Sequence, residues 1–518
     1  MHSPTVHPET VDHFLNPRQG HSRQEVPDST LSPTQISDSI QQCPTVKPLL
    51  EKSAYLVVCA GICIKIRSNV LNLTCQPILS SPPQSTGREM SGASVTVCVL
   101  AVSCVLPAST PLEYAGHVKL SFLDAPFVAT GPFQYVCLYE LAGGDEFPAA
   151  VRRLKESLAT TLALYLPLAG QLAYLADTGD VVVDCSEAGV PFAEATADGD
   201  SMDVRRLASA EAHDVPAFLS LVPRHDTRVL PVPVLSVQAT QLPNGMALGL
   251  SVHHAVVDAS ALQHFMGAWA AASCGGSVLT KPLEPPDYSR KAITDPRGDE
   301  LVRDIIKKVA PTLPVTNTRE DYFTQCYRLA RRTFYFGANY IRSLKQHINA
   351  LASTQARDEA PKPVSTFVAL SALGRTAFVR SKWLPADEYT YLIFQADLRA
   401  RLQPPVGDIA RVAWDPGGSD GDGGGAAGRG GDVDRAGEAP APTAAGDRGR
   451  RPRFRMYDTA DFGFGRPTRV DHVSMNHDGR FVLCAGKRDS EVQVTASIHP
   501  SRMDAFRAHI NARPRPKF

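Results

Sequence analysis

Between Val234 and Ser273 two apolar runs face each other across Pro243-Asn244-Gly245. The first is Val234-Leu-Ser-Val-Gln-Ala and the second Met246-Ala-Leu-Gly-Leu-Ser-Val252. Paired β-rich runs around Asn-Gly are the strongest short-range hairpin signal, because that dipeptide accepts the positive φ of a tight turn. His253-His254-Ala-Val-Val-Asp258 follows directly, and then Leu262, Phe265, Met266 and Trp269 recur at the spacing of one buried helix face. The chain is thereby committed to a strand, turn, strand, loop and helix, with two histidines where a buried strand ends. Rigid elements on both sides hold side chains there in a fixed geometry.

Imidazole, with an ordinary pKa of roughly 6.5, accepts a proton from an attacking group near neutral pH. Asp258 follows after an apolar spacer, where it can hold the ring or brace the loop. A strand-end histidine also serves as a plain hydrogen-bonded structural residue, and that reading stays open. The doublet, the aspartate and the strand–loop–helix context favour chemistry, with His254 as the candidate and His253 as structure.

His254-Ala-Val-Val-Asp258 resembles the HxxxD motif of the plant BAHD acyltransferases, which move acyl groups from coenzyme A thioesters to alcohols or amines. Far downstream, Asp461-Phe462-Gly463-Phe464-Gly465 is similar to the DFGWG signature, with Phe464 in the place of Trp as an aromatic plug. Leu120-Ser-Phe-Leu-Asp124-Ala-Pro-Phe, Leu166-Pro-Leu-Ala-Gly170-Gln-Leu and Asp397-Leu-Arg399-Ala-Arg401-Leu look like further segments of the family.

The resemblance implies an α/β, two-domain fold of the chloramphenicol-acetyltransferase type, with mixed sheets, flanking helices and a channel between the domains. It implies acyl-CoA as co-substrate, no permanently bound cofactor, no metal, and His254 as general base. Asp258 is expected to brace the histidine loop through an arginine, while Asp461 and Arg466 serve as architecture, the aspartate of that loop pairing with an arginine in the family. Ser365 and Thr366 are placed near the coenzyme A channel, although Ser365 at the head of an apolar helix fits a simple cap equally well. The Leu120 segment and Tyr457-Asp-Thr-Ala-Asp461 look most like the branch that adds malonyl or hydroxycinnamoyl groups to flavonoid and phenolic glucosides. An amine or simple alcohol as acceptor, or a catalytically impaired relative, are the alternatives.

Composition narrows the partners. Lys+Arg and Asp+Glu both number 53, so no basic field recommends nucleic acid or an anionic membrane. The 11 cysteines are scattered and odd in number, as reduced thiols in a cytoplasmic protein would be. A monomer taking an acyl-CoA donor and a small-molecule acceptor is the expectation.

Residues 1–89 read as a disordered or mispredicted extension ahead of Met90, rich in Pro, Ser, Thr, Gln and His at first. Tyr55 to Ile66 is apolar but falls short of the ~20 residues that span a bilayer. The N-terminal domain is expected over 90–285, a crossover linker without long apolar periodicity over 286–330, and the C-terminal domain over 331–518. A Gly-rich insert at 408–451 interrupts the last; its composition cannot bury a core, and it lacks the strand and helix that frame a phosphate-cradling loop. It reads as a translated intron or a shifted frame damaging the C-terminal domain, and an intact in-frame transcript encoding it would overturn that.

Overall fold

The computed structural model describes residues 61–67, 97–110, 116–141, 146–224, 226–275, 297–316, 327–355, 364–384, 389–395, 455–475 and 477–512. The segment 397–402, the insert at 408–451 and most of the expected N-terminal extension lie outside the described residues.

The first strands are β1 (Gly61–Arg67), β2 (Cys98–Val105), β3 (His117–Lys119), β4 (Phe133–Glu140), β5 (Gln171–Leu175), β6 (Asp180–Asp184) and β7 (Val190–Thr196). After them come β8 (Val232–Pro233), β9 (Leu235–Leu242), β10 (Gly245–Val252), β11 (Ala330–Phe336) and β12 (Tyr389–Gln395). The last are β13 (Arg469–His472), β14 (Arg480–Ala485) and β15 (Val492–Ile498). The helices are α1 (Glu146–Leu162), α2 (Val204–Ser209), α3 (Val215–Ser220), α4 (Ala259–Ser273) and α5 (Gly298–Val309). They continue with α6 (Ala338–Gln355), α7 (Thr366–Lys382), α8 (Met456–Thr459) and α9 (Pro500–Ile510). The α/β expectation holds, with mixed sheets and flanking helices.

The expected hairpin is β9 and β10, paired from Gly245 opposite Leu242 to Val252 opposite Leu235, with Asn244 turning at φ 61°. β10 is central in a six-stranded sheet of order β13-β4-β10-β9-β7-β2, and all its residues are buried. Met246, Leu248, Leu250 and Val252 join the main core, while Ala247 joins a second cluster on the opposite face. On that second face a Cβ at Gly249 would sit 2.0 Å from the Leu221 carbonyl oxygen, so only glycine lets the 221 loop close on the strand. Leu262, Phe265, Met266 and Trp269 of α4 are almost wholly buried against the main core, the face their spacing predicts.

A smaller antiparallel sheet, β11-β15-β14, carries its own core in the second half, with Phe334, Leu344, Leu370, Val494 and Phe506 at its centre. β13, from deep in the second half, leaves its neighbours and pairs with β4, Arg469 opposite Leu138 and His472 opposite Tyr135. The stretch read as a linker without long apolar periodicity contains α5, whose Val302 and Ile306 are buried and whose Arg303 Nε donates to Asp180 at 2.8 Å. Within the expected N-terminal extension, β1 pairs antiparallel with β12. Among the described residues no helix is long and apolar enough to cross a membrane.

Candidate active site

β10 delivers the histidine pair. His253 is fully buried; its Nδ1 accepts from Ala255 N at 3.2 Å and its backbone N donates to Val234 O at 2.8 Å, so this ring shapes the turn. His254 is half-buried, and its Nδ1 lies 3.2 Å from Val257 O. A carbonyl only accepts, so Nδ1 carries the hydrogen and the lone pair belongs to Nε2. Phe127 and Phe133 pack on the ring, with centroids 4.6 Å and 5.1 Å away. Phe133 opens β4, and Phe127 is brought there by the Leu120 segment. In that segment Asp124 Oδ2 accepts from Ser121 N at 2.8 Å and Ser121 Oγ at 2.6 Å, folding the turn that presents Phe127.

Asp258 is buried at the end of the same loop and caps α4, its Oδ1 accepting from Ala261 N at 2.8 Å. A carboxylate at a helix start satisfies an orphan amide and suits the dipole. The cap fixes where the His254 loop ends and the helix begins. Asp258→Ala should therefore cost about 1 kcal/mol and loosen the loop, whereas Asp258→Asn keeps most of the stability. Thermal melting of the two variants checks this; equal melting temperatures for the wild type and the alanine variant would contradict it.

The Asp461 loop lies at the other end of α4, a 15-residue helix of roughly 22 Å. Ser273 Oγ donates to Phe462 O at 2.7 Å, and the fully buried Phe462 ring stands edge-on to Trp269 at 4.9 Å. Phe464 packs edge-on to Tyr139 at 4.9 Å, the plug expected of it. Among the described residues Asp461 forms no ion pair with an arginine, the partner the family resemblance implies. Its Oδ1 accepts from Gly463 N at 3.0 Å and Gly465 N at 3.2 Å, and both glycines need their positive φ, 89° and 98°. Arg466 pairs with Asp458 at 3.2 Å. Ser365 caps α7, its Oγ accepting from Val368 N at 3.2 Å, with Thr366 as the first helical residue. The structure thus brings His254 and Asp258 together and holds Asp461, Arg466 and Ser365 in local architecture of their own.

Sequence reasoning missed a buried polar hub. Arg469 and Asp471, each 1% exposed, form an ion pair on β13. Arg469 Nη1 donates to Leu207 O at 2.7 Å, and Nη2 donates to His213 Nε2 at 2.7 Å. Asp471 Oδ1 accepts from Thr333 and Thr495 hydroxyls at 3.3 Å and 3.4 Å, and Tyr457 OH donates to Gln493 Oε1 at 2.7 Å. Burial alone would raise the Asp471 carboxyl, but the Arg469 guanidinium and the Thr333 hydroxyl that donates to it hold it below the usual range. Burial pushes His213 down from 6.5 to about 3, opposed by Asp471 and reinforced by Arg469 and Arg331.

Both groups bind fewer protons folded than unfolded in acid, so stability rises with pH across that window. It should fall as pH drops from about 6.5 toward about 3, and His213→Asn should flatten the upper part of that slope. Denaturant titrations at several pH values read the slope; an unchanged profile in the variant would count against the buried neutral histidine.

Residues 95–408, more than half of the chain, match the profile of the Transferase family. Phenolic glucoside malonyltransferase 2 of Arabidopsis thaliana is 26% identical over 469 residues, covering 78% of this chain and 96% of its own. Tryptamine hydroxycinnamoyltransferase 2 of Oryza sativa subsp. japonica is 30% identical over 266 residues, covering 49% and 54%. The crystal structure of vinorine synthase aligns over 79% of this chain and 96% of its own at 18% identity, with a TM-score of 0.46.

Proposed function

The chain belongs to the Transferase family, the acyl-CoA-dependent BAHD acyltransferases, and from that premise we propose that it moves a malonyl or hydroxycinnamoyl group from acyl-CoA to a hydroxyl of a flavonoid or phenolic glucoside. His254 is the general base, and Asp258 keeps its loop in place. The single observation behind this is the His254 ring, oriented by Val257 O and flanked by Phe127 and Phe133, at the end of a buried strand. The acceptor class follows the relatives that acylate phenolic glucosides.

In this reading Nε2 takes the proton of the acceptor hydroxyl as its oxygen attacks the thioester carbonyl carbon. The new C–O bond gives a tetrahedral oxyanion. The C–S bond then breaks, the carbonyl reforms, and the coenzyme A thiolate takes the proton back from the imidazolium. No bond to the protein forms at any stage. Donor and acceptor meet between lobes spanning 90–285 and 331–518. Ser365 and Thr366, at the exposed start of α7, meet coenzyme A, where helix amides favour phosphate. Acyl-CoA acts as co-substrate and the enzyme works as a cytoplasmic monomer.

The experiment is acyl transfer from malonyl-CoA and coumaroyl-CoA to a panel of phenolic glucosides, with tryptamine as the amine arm suggested by the rice relative. Mass spectrometry reads the products. Acylated glucoside supports the proposal, product only with the amine moves it to the second acceptor class, and no product with any pair overturns it.

A further inference from the structure

One guanidinium near the proposed site has no acid to pair with among the described residues. Arg480 opens β14 half-buried, and its hydrogen bond among the described residues is a long one, from Nη1 to Ser474 O at 3.4 Å. Comparable arginines are matched: Arg303 with Asp180 at 2.8 Å, Arg332 with Glu211 at 3.2 Å. Arg480 makes no ion pair with any carboxylate of the described residues.

Beside it β13 ends in His472, only 8% exposed, whose Nδ1 is sealed from water without a hydrogen-bond partner among the described residues. The His472 ring stands edge-on to Tyr135 at 5.1 Å, Tyr135 edge-on to Phe133 at 5.9 Å, and Phe133 packs on His254 at 5.1 Å. Four rings therefore run unbroken from the proposed base to the neighbourhood of Arg480. Burial first, then the charges of Arg480 and Arg331, keep His472 well below its ordinary value and hence neutral. Arg480 also opposes the rise that burial imposes on the Tyr135 hydroxyl, which places its charge against the same row of rings.

A neutral imidazole that can donate one hydrogen bond, next to an unmatched cation, is a receptor for a carboxylate. We propose that Arg480 and His472 bind the free carboxylate of a substrate whose reacting group is held at His254, Arg480 by its charge and His472 by a ring N–H. This rests on the transferase reading above and adds the substrate feature that the site selects. The carboxylate has two sources, a dicarboxylic acyl donor or an acidic acceptor, and the same chemistry serves both.

Two matched pairs separate them: malonyl-CoA against acetyl-CoA, and a phenolic glucoside against the corresponding glucuronide. A charged hydrogen bond corresponds to roughly 10–100-fold. Arg480→Met should lower kcat/KM by that factor, mainly through KM, for the acidic member of one pair and leave the uncharged member within about 2-fold. Loss confined to malonyl-CoA assigns the carboxylate to the donor, and loss confined to the glucuronide assigns it to the acceptor. Arg480→Lys should recover part of the loss, and His472→Asn should show a smaller loss of the same selectivity. Equal losses for both members of each pair, or none, overturn the proposal while leaving the transferase reading intact. Should the wild type turn over no pair, that reading fails. The affinities of malonyl-CoA and acetyl-CoA, and of the two glycosides, measured by calorimetry on wild type and Arg480→Met, then decide the carboxylate site by the same comparison.

Discussion

His254→Ala should reduce turnover by roughly 10²–10⁴-fold, the contribution of a positioned general base. The proton moves only as the acceptor attacks, so the missing ring is felt in the transition state, and kcat should fall with little change in KM. The fold should survive. His254 is half-buried at the end of β10 and its ring meets Phe127 and Phe133 from one side. The turn itself is held by His253, whose backbone carbonyl accepts from Val256 N at 3.1 Å, and by the Asp258 cap. A melting temperature close to that of the wild type, with kcat lost, is the expected pair of results. Retention of turnover within a few-fold would remove His254 from the chemistry.

Asp471→Ala carries the largest expected cost to stability, about 3–5 kcal/mol, because it strands a buried cation. Arg469 would keep its bonds to Leu207 O and His213 but lose the Asp471 charge that balances it. The Thr333 and Thr495 hydroxyls would lose their shared acceptor at the same time. These groups come from β11, β13, β15 and the segment after α2, so the loss loosens the join between the two halves. Denaturant unfolding measures it. Since the cost is that of an orphaned partner, replacing Arg469 and Asp471 together by apolar residues should hurt less than Asp471→Ala alone. A single variant within about 1 kcal/mol of the wild type would mean that the hub does not hold the halves together.

Much of this geometry was legible because its signals are local. The Asn244 turn, the apolar face of α4 and the glycine alternation around Phe462 are written in neighbouring residues. The hub was not, for a physical reason. Arg469 and Asp471 lie two apart on one face of a strand, a pattern that ordinarily marks a solvated face. They are buried here because each neutralises the other and because His213, Thr333 and Thr495 arrive from remote segments. The pairing of β13 with β4 has no local signature either, since Arg469 meets Leu138 across most of the chain. α5 did carry a signal, in Val302 and Ile306 with Leu301 and Ile305 beside them, but flanking prolines and charges suggested a linker. Asp258 sits directly ahead of an apolar-periodic helix, the usual mark of a cap. The Asp461 carboxylate turned to the amides of Gly463 and Gly465 because positive-φ glycines point those N–H groups inward.

Release of the coenzyme A thiol on rapid mixing tests direct transfer at His254 most closely, followed with malonyl-CoA alone and then with a phenolic glucoside added. Direct transfer predicts thiol only when both substrates are present, one per acylated product, and a loss of this release in His254→Ala. Thiol released as fast without the acceptor, or undiminished in the alanine variant, would contradict it.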